Sequence, residues 1–142
     1  MLLVQLITIV IREMKMNWTD LPCNELLKRV FVNPPKIGSI DIFDIEIKRD
    51  GPTVIVSFDL IDVLPDNPPV KWGRDFNRCR MGIYCIGVSE LSMTGLATNI
   101  LAKIDFRIIG DATTIIISSD SLNMELTCSN VTVTGPSVYK SN

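Results

Sequence analysis

The chain has 142 residues, of which 46% are hydrophobic and 21% charged, a balance that excludes disordered and fibrous classes and, at this length, lets roughly 70% of the unfolded surface be buried. A net charge of -2 and a pI near 5.1 offer no attraction to phosphate backbones or anionic lipid, so no nucleic acid and no membrane is expected as a partner. Histidine is absent, which removes Ser-His-Asp and Cys-His nucleophile systems, histidine bases and histidine metal sites.

Residues 1–15 form an N-terminal extension. Leu2 to Ile11 is an apolar run with one Gln, shorter than the ~20 residues of a spanning helix. No Lys or Arg precedes it, and Arg12-Glu13-Met14-Lys15-Met16 offers no small-residue cleavage site, so it fits a signal peptide badly. Two main readings compete: an extra edge strand or helix packed on the body, or a start assigned too early, with Met14 and Met16 as alternative starts. A membrane anchor is the third. Residues 16–142 read as one β domain with no internal repeat or linker.

From Asn17 or Thr19 to Val32 the pattern is helical. Asn17, Thr19 and Asp20 are N-cap types, and Leu26, Leu27, Val30 and Phe31 recur at the spacing of one helix face. Asn33-Pro34-Pro35 ends it, because proline lacks an amide donor and pushes the preceding residue toward extended geometry. The period then becomes two. Val54, Val56, Phe58 and Leu60 alternate with more polar neighbours, and Asp50-Gly51-Pro52 supplies a turn, so Ile37 to Arg49 and Thr53 to Ile61 form a predicted hairpin. Its first strand changes phase, with Ile40 and Ile42 even and Phe43, Ile45 and Ile47 odd; a β-bulge near Ile42-Phe43 reconciles the halves.

Asp62 to Gly73, with Pro65, Pro68 and Pro69, reads as a long surface loop. Strands resume with Cys79, Met81, Ile83 and Cys85 facing inward and Arg78, Arg80 and Tyr84 outward. Val88 to Leu96 gives a short strand turned at Gly95. Ile100, Ala102, Ile104, Phe106 and Ile108 face inward on the next, Thr113 to Ser118 carries a triple Ile that implies burial on both faces, and Leu122, Met124, Leu126 and Cys128 alternate on another. A run over Val131 to Thr134 precedes a polar tail. The fold class is therefore mainly β (α+β), an antiparallel curled sheet or sandwich of about seven or eight strands with one N-terminal helix.

The cysteines Cys23, Cys79, Cys85 and Cys128 lack C-x-x-C spacing, so neither a zinc site nor a disulfide framework is expected, and they read as reduced, mostly buried thiols of a cytoplasmic protein. No cofactor, metal or catalytic residue is expected. Acidic residues dominate the hairpin and the loop after it: Asp41, Asp44, Glu46, Asp50, Asp59, Asp62 and Asp66 against Lys48 and Arg49. Asp44, Glu46 and Asp59 share an outward face near the loop bearing Asp62 and Asp66, an anionic surface for a basic protein or else a solvated strand face. Trp72 is either a core plug or an interface anchor, and Tyr84 lies outward beside it. Asp44, Glu46, Asp59, Asp62, Asp66, Trp72 and Tyr84 are the candidate partner-binding residues. Carboxylates spread along an exposed hairpin lack the cleft an acid and base pair needs, and Lys71, Arg74, Arg78 and Arg80 are expected to pair with the neighbouring acids.

From Met16 onward the chain resembles the immunity protein 50 family of bacterial polymorphic toxin systems. The resemblance lies in Met16-Asn17-Trp18, Val56-Ser57-Phe58-Asp59-Leu60, Pro68-Pro69-Val70-Lys71-Trp72, Leu91-Ser92-Met93-Thr94-Gly95 and Thr98-Asn99-Ile100. Leu96 stands where an aromatic residue is expected, and residues 1–15 lie outside the pattern. The resemblance implies a cytoplasmic protein that binds and neutralises a cognate toxin domain, and transfers no catalytic residues; the acidic patch suits a basic toxin such as a nuclease. A structural or assembly β protein that pairs with itself or with a sheet partner is the alternative.

Overall fold

The computed structural model describes residues 16–142; the extension 1–15, with the readings attached to it, lies outside the described residues. Eight antiparallel strands follow the alternation in the sequence: β1 (Ser39–Lys48), β2 (Thr53–Leu60), β3 (Arg78–Ile86), β4 (Glu90–Thr94), β5 (Ile100–Ile109), β6 (Ala112–Ser119), β7 (Asn123–Cys128) and β8 (Asn130–Tyr139). They form one open sheet in the order β4-β7-β6-β5-β1-β2-β3-β8. The mainly β, antiparallel expectation is borne out.

Connectivity forces this sheet to curl. Strands β7 and β8 stand six places apart in the order, about 29 Å in a flat sheet at ~4.8 Å per strand. Only Ser129 lies between them, and two Cα steps reach about 7.6 Å. The two ends of the sheet must therefore approach one another. Ser129 anchors the corner, its N–H and Oγ both donating to the Ile86 carbonyl at 3.1 and 3.0 Å. Strand β1 serves both halves: Ser39–Ile42 pairs with β5, from Ser39↔Lys103 to Ile42↔Ile100, while Ile40–Lys48 pairs with β2.

The concave side holds one apolar core. Val54, Val56, Phe58 and Leu60 of β2, the β3 residues Cys79 to Cys85 at alternate positions, and Ile100 to Phe106 of β5 are buried there. Two expectations are corrected. Ile108 is exposed, because β5 outruns the core. Ile116 is half-buried, between Asp105 and Glu125 on the outer side, so the triple Ile is buried on one face, as in an antiparallel sheet with one solvated side. Cys79, Cys85 and Cys128 are buried and Cys23 is exposed.

The N-terminal helix is shorter than the periodicity predicts. A 3-10 turn, Trp18–Asp20, and α1, Glu25–Val30, are separated at Pro22 and at Cys23, whose φ of 64° is left-handed and breaks a right-handed helix. The apolar face is still used. Trp18 is fully buried, its ring 5.0 Å from Phe58 of β2 and 6.1 Å from Phe106 of β5. It thus bridges the two halves of the curled sheet, with Leu21, Leu27, Val30 and Phe31 beside it in the core. A Trp ring burying 150–250 Å² contributes roughly 4–6 kcal/mol at about 25 cal/mol per Å². Trp18→Ala is expected to lower unfolding free energy by about 3–5 kcal/mol in urea titration, and a loss under 1 kcal/mol would contradict a bridging role.

Candidate functional site

The convex face of β1, β2, β3 and β8 is built by one irregularity. Ile42 pairs with Phe58 and Asp44 with Ser57, leaving Phe43 as the extra residue of a bulge. Ile40 and Ile42 point inward before it, and Ile45 packs on the core after it. Asp41, Asp44 and Glu46 consequently all lie on the outer side. The bulge expected from the change of phase is present.

Cross-strand rows then place the neighbours. Asp41, Asp59, Arg80 and Ser137 form one row, and Glu46, Ile55, Tyr84 and Thr132 another. Asp59 is only 4% exposed. Its Oδ1 accepts from Arg80 Nε at 2.9 Å, and its Oδ2 accepts from Arg80 Nη2 and from the Tyr139 hydroxyl. Arg80 Nη2 also donates to Tyr139 OH at 2.8 Å. The guanidinium lies 3.7 Å from the Phe43 ring centroid and 4.5 Å from that of Tyr139, close enough for cation–π attraction. Burial pulls the Arg80 pKa down, but its hydrogen bond and charge interaction with Asp59 outweigh this and the net shift is upward. Burial first, and Asp59 second, raise the Tyr139 pKa, so it keeps its proton to donate. Arg78 Nη1 pairs more loosely with Asp41, at 3.9 Å. Of the four cations expected to pair with neighbouring acids, Arg78 and Arg80 do so across the sheet, whereas Lys71 and Arg74 are exposed and make no ion pair among the described residues, because they lie in the loop before β3.

The loop after β2 is tied to α1. Asp66 accepts from the backbone N–H of Val32 at 2.6 Å and of Asn33 at 3.0 Å, and from Asn33 Nδ2 at 3.1 Å. Asn67 N–H donates to the Val30 carbonyl at 2.9 Å and its Nδ2 to that of Arg29 at 2.9 Å, satisfying carbonyls that a helix end leaves free. The Asn33 and Val32 amides hold the Asp66 carboxyl below the usual carboxylate range. Trp72 ends a 3-10 turn, Val70–Trp72, and packs half-buried against the core.

The seven candidate residues therefore divide. Asp44, Glu46 and Tyr84 share the convex face and are exposed, while Asp62 is exposed at the end of β2 beside a cleft of about 440 Å³ that Arg78 also lines. Among the described residues Asp44, Glu46 and Asp62 have no ion pair. Asp59 lies on the same face but is turned to internal partners, and Asp66 and Trp72 hold the loop to the body. Phe43 and Tyr139 complete the cluster and were not singled out in the sequence. Tyr139 fell in the expected polar tail after Val131 to Thr134, whereas β8 continues to Tyr139 across a register shift near Arg80/Gly82. Burial and the nearby Asp59 push the Cys79 thiol up to about 12, so it is protonated at neutral pH. No three of Cys, Asp and Glu come together as metal ligands among the described residues, and no helix among them is long and apolar enough to cross a membrane.

A curled antiparallel sheet with a carboxylate-bearing convex face defines a mainly β protein whose prominent chemistry lies on its exterior. The family model for immunity protein 50 matches residues 24–139, from the residue before α1 to the last residue of β8, and the chain belongs to this family of immunity proteins. No curated protein and no solved structure matches it.

Removing Arg80 leaves Asp59 buried without its cation. Because the Arg80 side chain is 39% exposed, Arg80→Ala should cost about 2 kcal/mol in denaturant titration, below the 3–5 kcal/mol of a fully buried broken pair. Asp66 gives a pH signature. Its folded-state pKa is depressed, so its contribution is present above the unfolded carboxylate value and is lost as pH falls through the folded one. Asp66→Ala should lower the urea midpoint at pH 7, and the gap between variant and parent should close below about pH 4; a gap independent of pH would remove the ionised carboxylate's role in holding the loop to the Val32 and Asn33 amides.

Proposed function

We propose that this protein binds and neutralises a cognate toxin domain in the cytoplasm, and that the convex face of the hairpin forms part of the contact. Membership of an immunity protein family supports a toxin partner. The observation that carries the surface is the division of the carboxylates: Asp59 and Asp66 are engaged within the molecule, while Asp44, Glu46 and Asp62 project without ion pairs. Such groups attract a basic partner at long range and set its orientation. A nuclease, whose own substrate is polyanionic, has the required basic surface. Inhibition then needs only a rigid surface laid over the toxin's active site, which agrees with a chain that has no histidine and with a non-catalytic reading. Tyr84, in the row of Glu46, supplies an amphipathic ring of the kind enriched at binding hot spots, and Trp72 stiffens the adjoining loop.

The test uses the toxin domain encoded beside this chain. Co-expression should restore growth of cells producing that domain. Replacing Asp44 and Glu46 together by Lys should lower the association rate about tenfold or more at low salt and flatten its salt dependence, with the melting temperature unchanged. Equal rates and slopes would take the hairpin out of the contact.

A further inference from the structure

Among the described residues, two backbone edges are left unpaired where the curled sheet comes round on itself. Beyond Ile42, β1 has β2 as its only described neighbour, since β5 begins at Ile100 opposite Ile42. Strand β4 likewise pairs, among the described residues, with β7 alone. Val88 N–H donates to the Pro52 carbonyl at 3.0 Å, which fixes the start of β4 at the tip of the β1–β2 hairpin. At the other end, the loop after Thr94 delivers Ile100 beside Ile42. Strand β4 therefore runs opposite in direction to the second half of β1. Between them lies a groove of about 200 Å³ lined by Ile47, Val54, Val88 and Leu91 among others.

The backbone of β1 is aimed into this groove. In a strand, the face a side chain occupies and the lateral direction of its own N–H and C=O are coupled. Gly38, two residues before inward-facing Ile40, accepts from Ile104 N–H of β5 at 3.1 Å. Ile45, on the same inward face, and Ile47, two residues on, thus direct their amides toward the β5 side, where no described strand continues. Free edges are ordinarily defended by Lys, Pro, bulges or short length. Asp44 to Lys48 contains no Pro and has its one Lys at the end, Lys48, at the rim of the groove, and Ile47 is 57% exposed.

We propose that this edge is where the partner attaches: an extended segment of the cognate toxin adds to β1 along Asp44–Lys48 as an extra strand. Strand periodicity sets its chemistry. Alternate side chains are apolar and meet Ile45, Ile47 and Leu91 on the inner side, and the intervening ones are Lys or Arg and meet the unpaired carboxylates of Asp44 and Glu46 on the outer side. The inference rests on the toxin-binding reading and adds its mode of attachment.

Amide exchange of the full chain, followed by NMR with and without the toxin domain encoded beside it, tests the mode. Exchange at Ile45 and Ile47 should slow at least tenfold in the complex. Ile47→Pro, which removes an amide that β2 does not use, should weaken binding at least tenfold, while Ile47→Thr, which keeps that amide, should bind within threefold; matched thermal melts establish that both variants fold. A complex that inhibits the toxin but leaves both amides unprotected overturns strand addition and spares the toxin-binding reading. Amides protected in the free chain and released in a chain beginning at Met16 would assign the edge to residues 1–15 and also overturn it. Absence of any complex overturns the underlying reading itself.

Discussion

One extra residue in β1 is the constraint on which the outer surface depends. Without the bulge at Phe43, a strict period of two would carry Asp44 and Glu46 into the core and turn Ile45 and Ile47 outward. With it, the apolar residues of both halves of the strand reach the same core, and the acids of both halves share the solvent side. The bulge also lies where β1 parts from β5. The residue that orders the charges thus stands where the edge of β1 loses its described neighbour.

The same face shows why an acid-rich sequence does not give a uniformly acidic surface. Asp59 is taken up by Arg80 and Tyr139, and Arg80 is in turn flanked by the Phe43 and Tyr139 rings. A carboxylate so enclosed is expensive to desolvate and is retained only because its lone pairs are filled. Asp66 is engaged differently, accepting from the backbone amides just after α1 from a loop more than thirty residues away in sequence. Both groups tie segments remote in sequence to the body, and in the proposed toxin contact a scaffold held in this way lowers the ordering cost at binding.

Much of the architecture was legible in the chain because side-chain alternation is a local signal. The inward sets of β2, β3 and β7, and that of β5 up to Phe106, follow directly from it, as does the bulge, which shows as a slip in phase. Helix length did not follow, because the apolar face that joins Trp18 and Leu21 to Leu27, Val30 and Phe31 continues across a backbone that Pro22 and Cys23 interrupt. The end of β8 was missed because the run over Val131 to Thr134 gives way to a polar tail, and only pairing with β3 carries the strand on to Tyr139. For the candidate surface, the residue types and their face were readable; which acids were engaged was not, since Asp59 meets Tyr139 across 80 positions.

The amino-acid sequence alone determined a mainly antiparallel β protein, a hairpin rich in carboxylates, the absence of histidine chemistry and a resemblance to immunity proteins. These depend on residue identity and on spacing within a few positions. Tertiary structure decided the curl imposed by Ser129 between two distant strands, the bridging place of Trp18, the separation of internal carboxylates from those without ion pairs, and the edge of β1 that no described strand covers. Each of those arises from contacts between strands remote in the chain, where pairing, and not propensity, selects the neighbour.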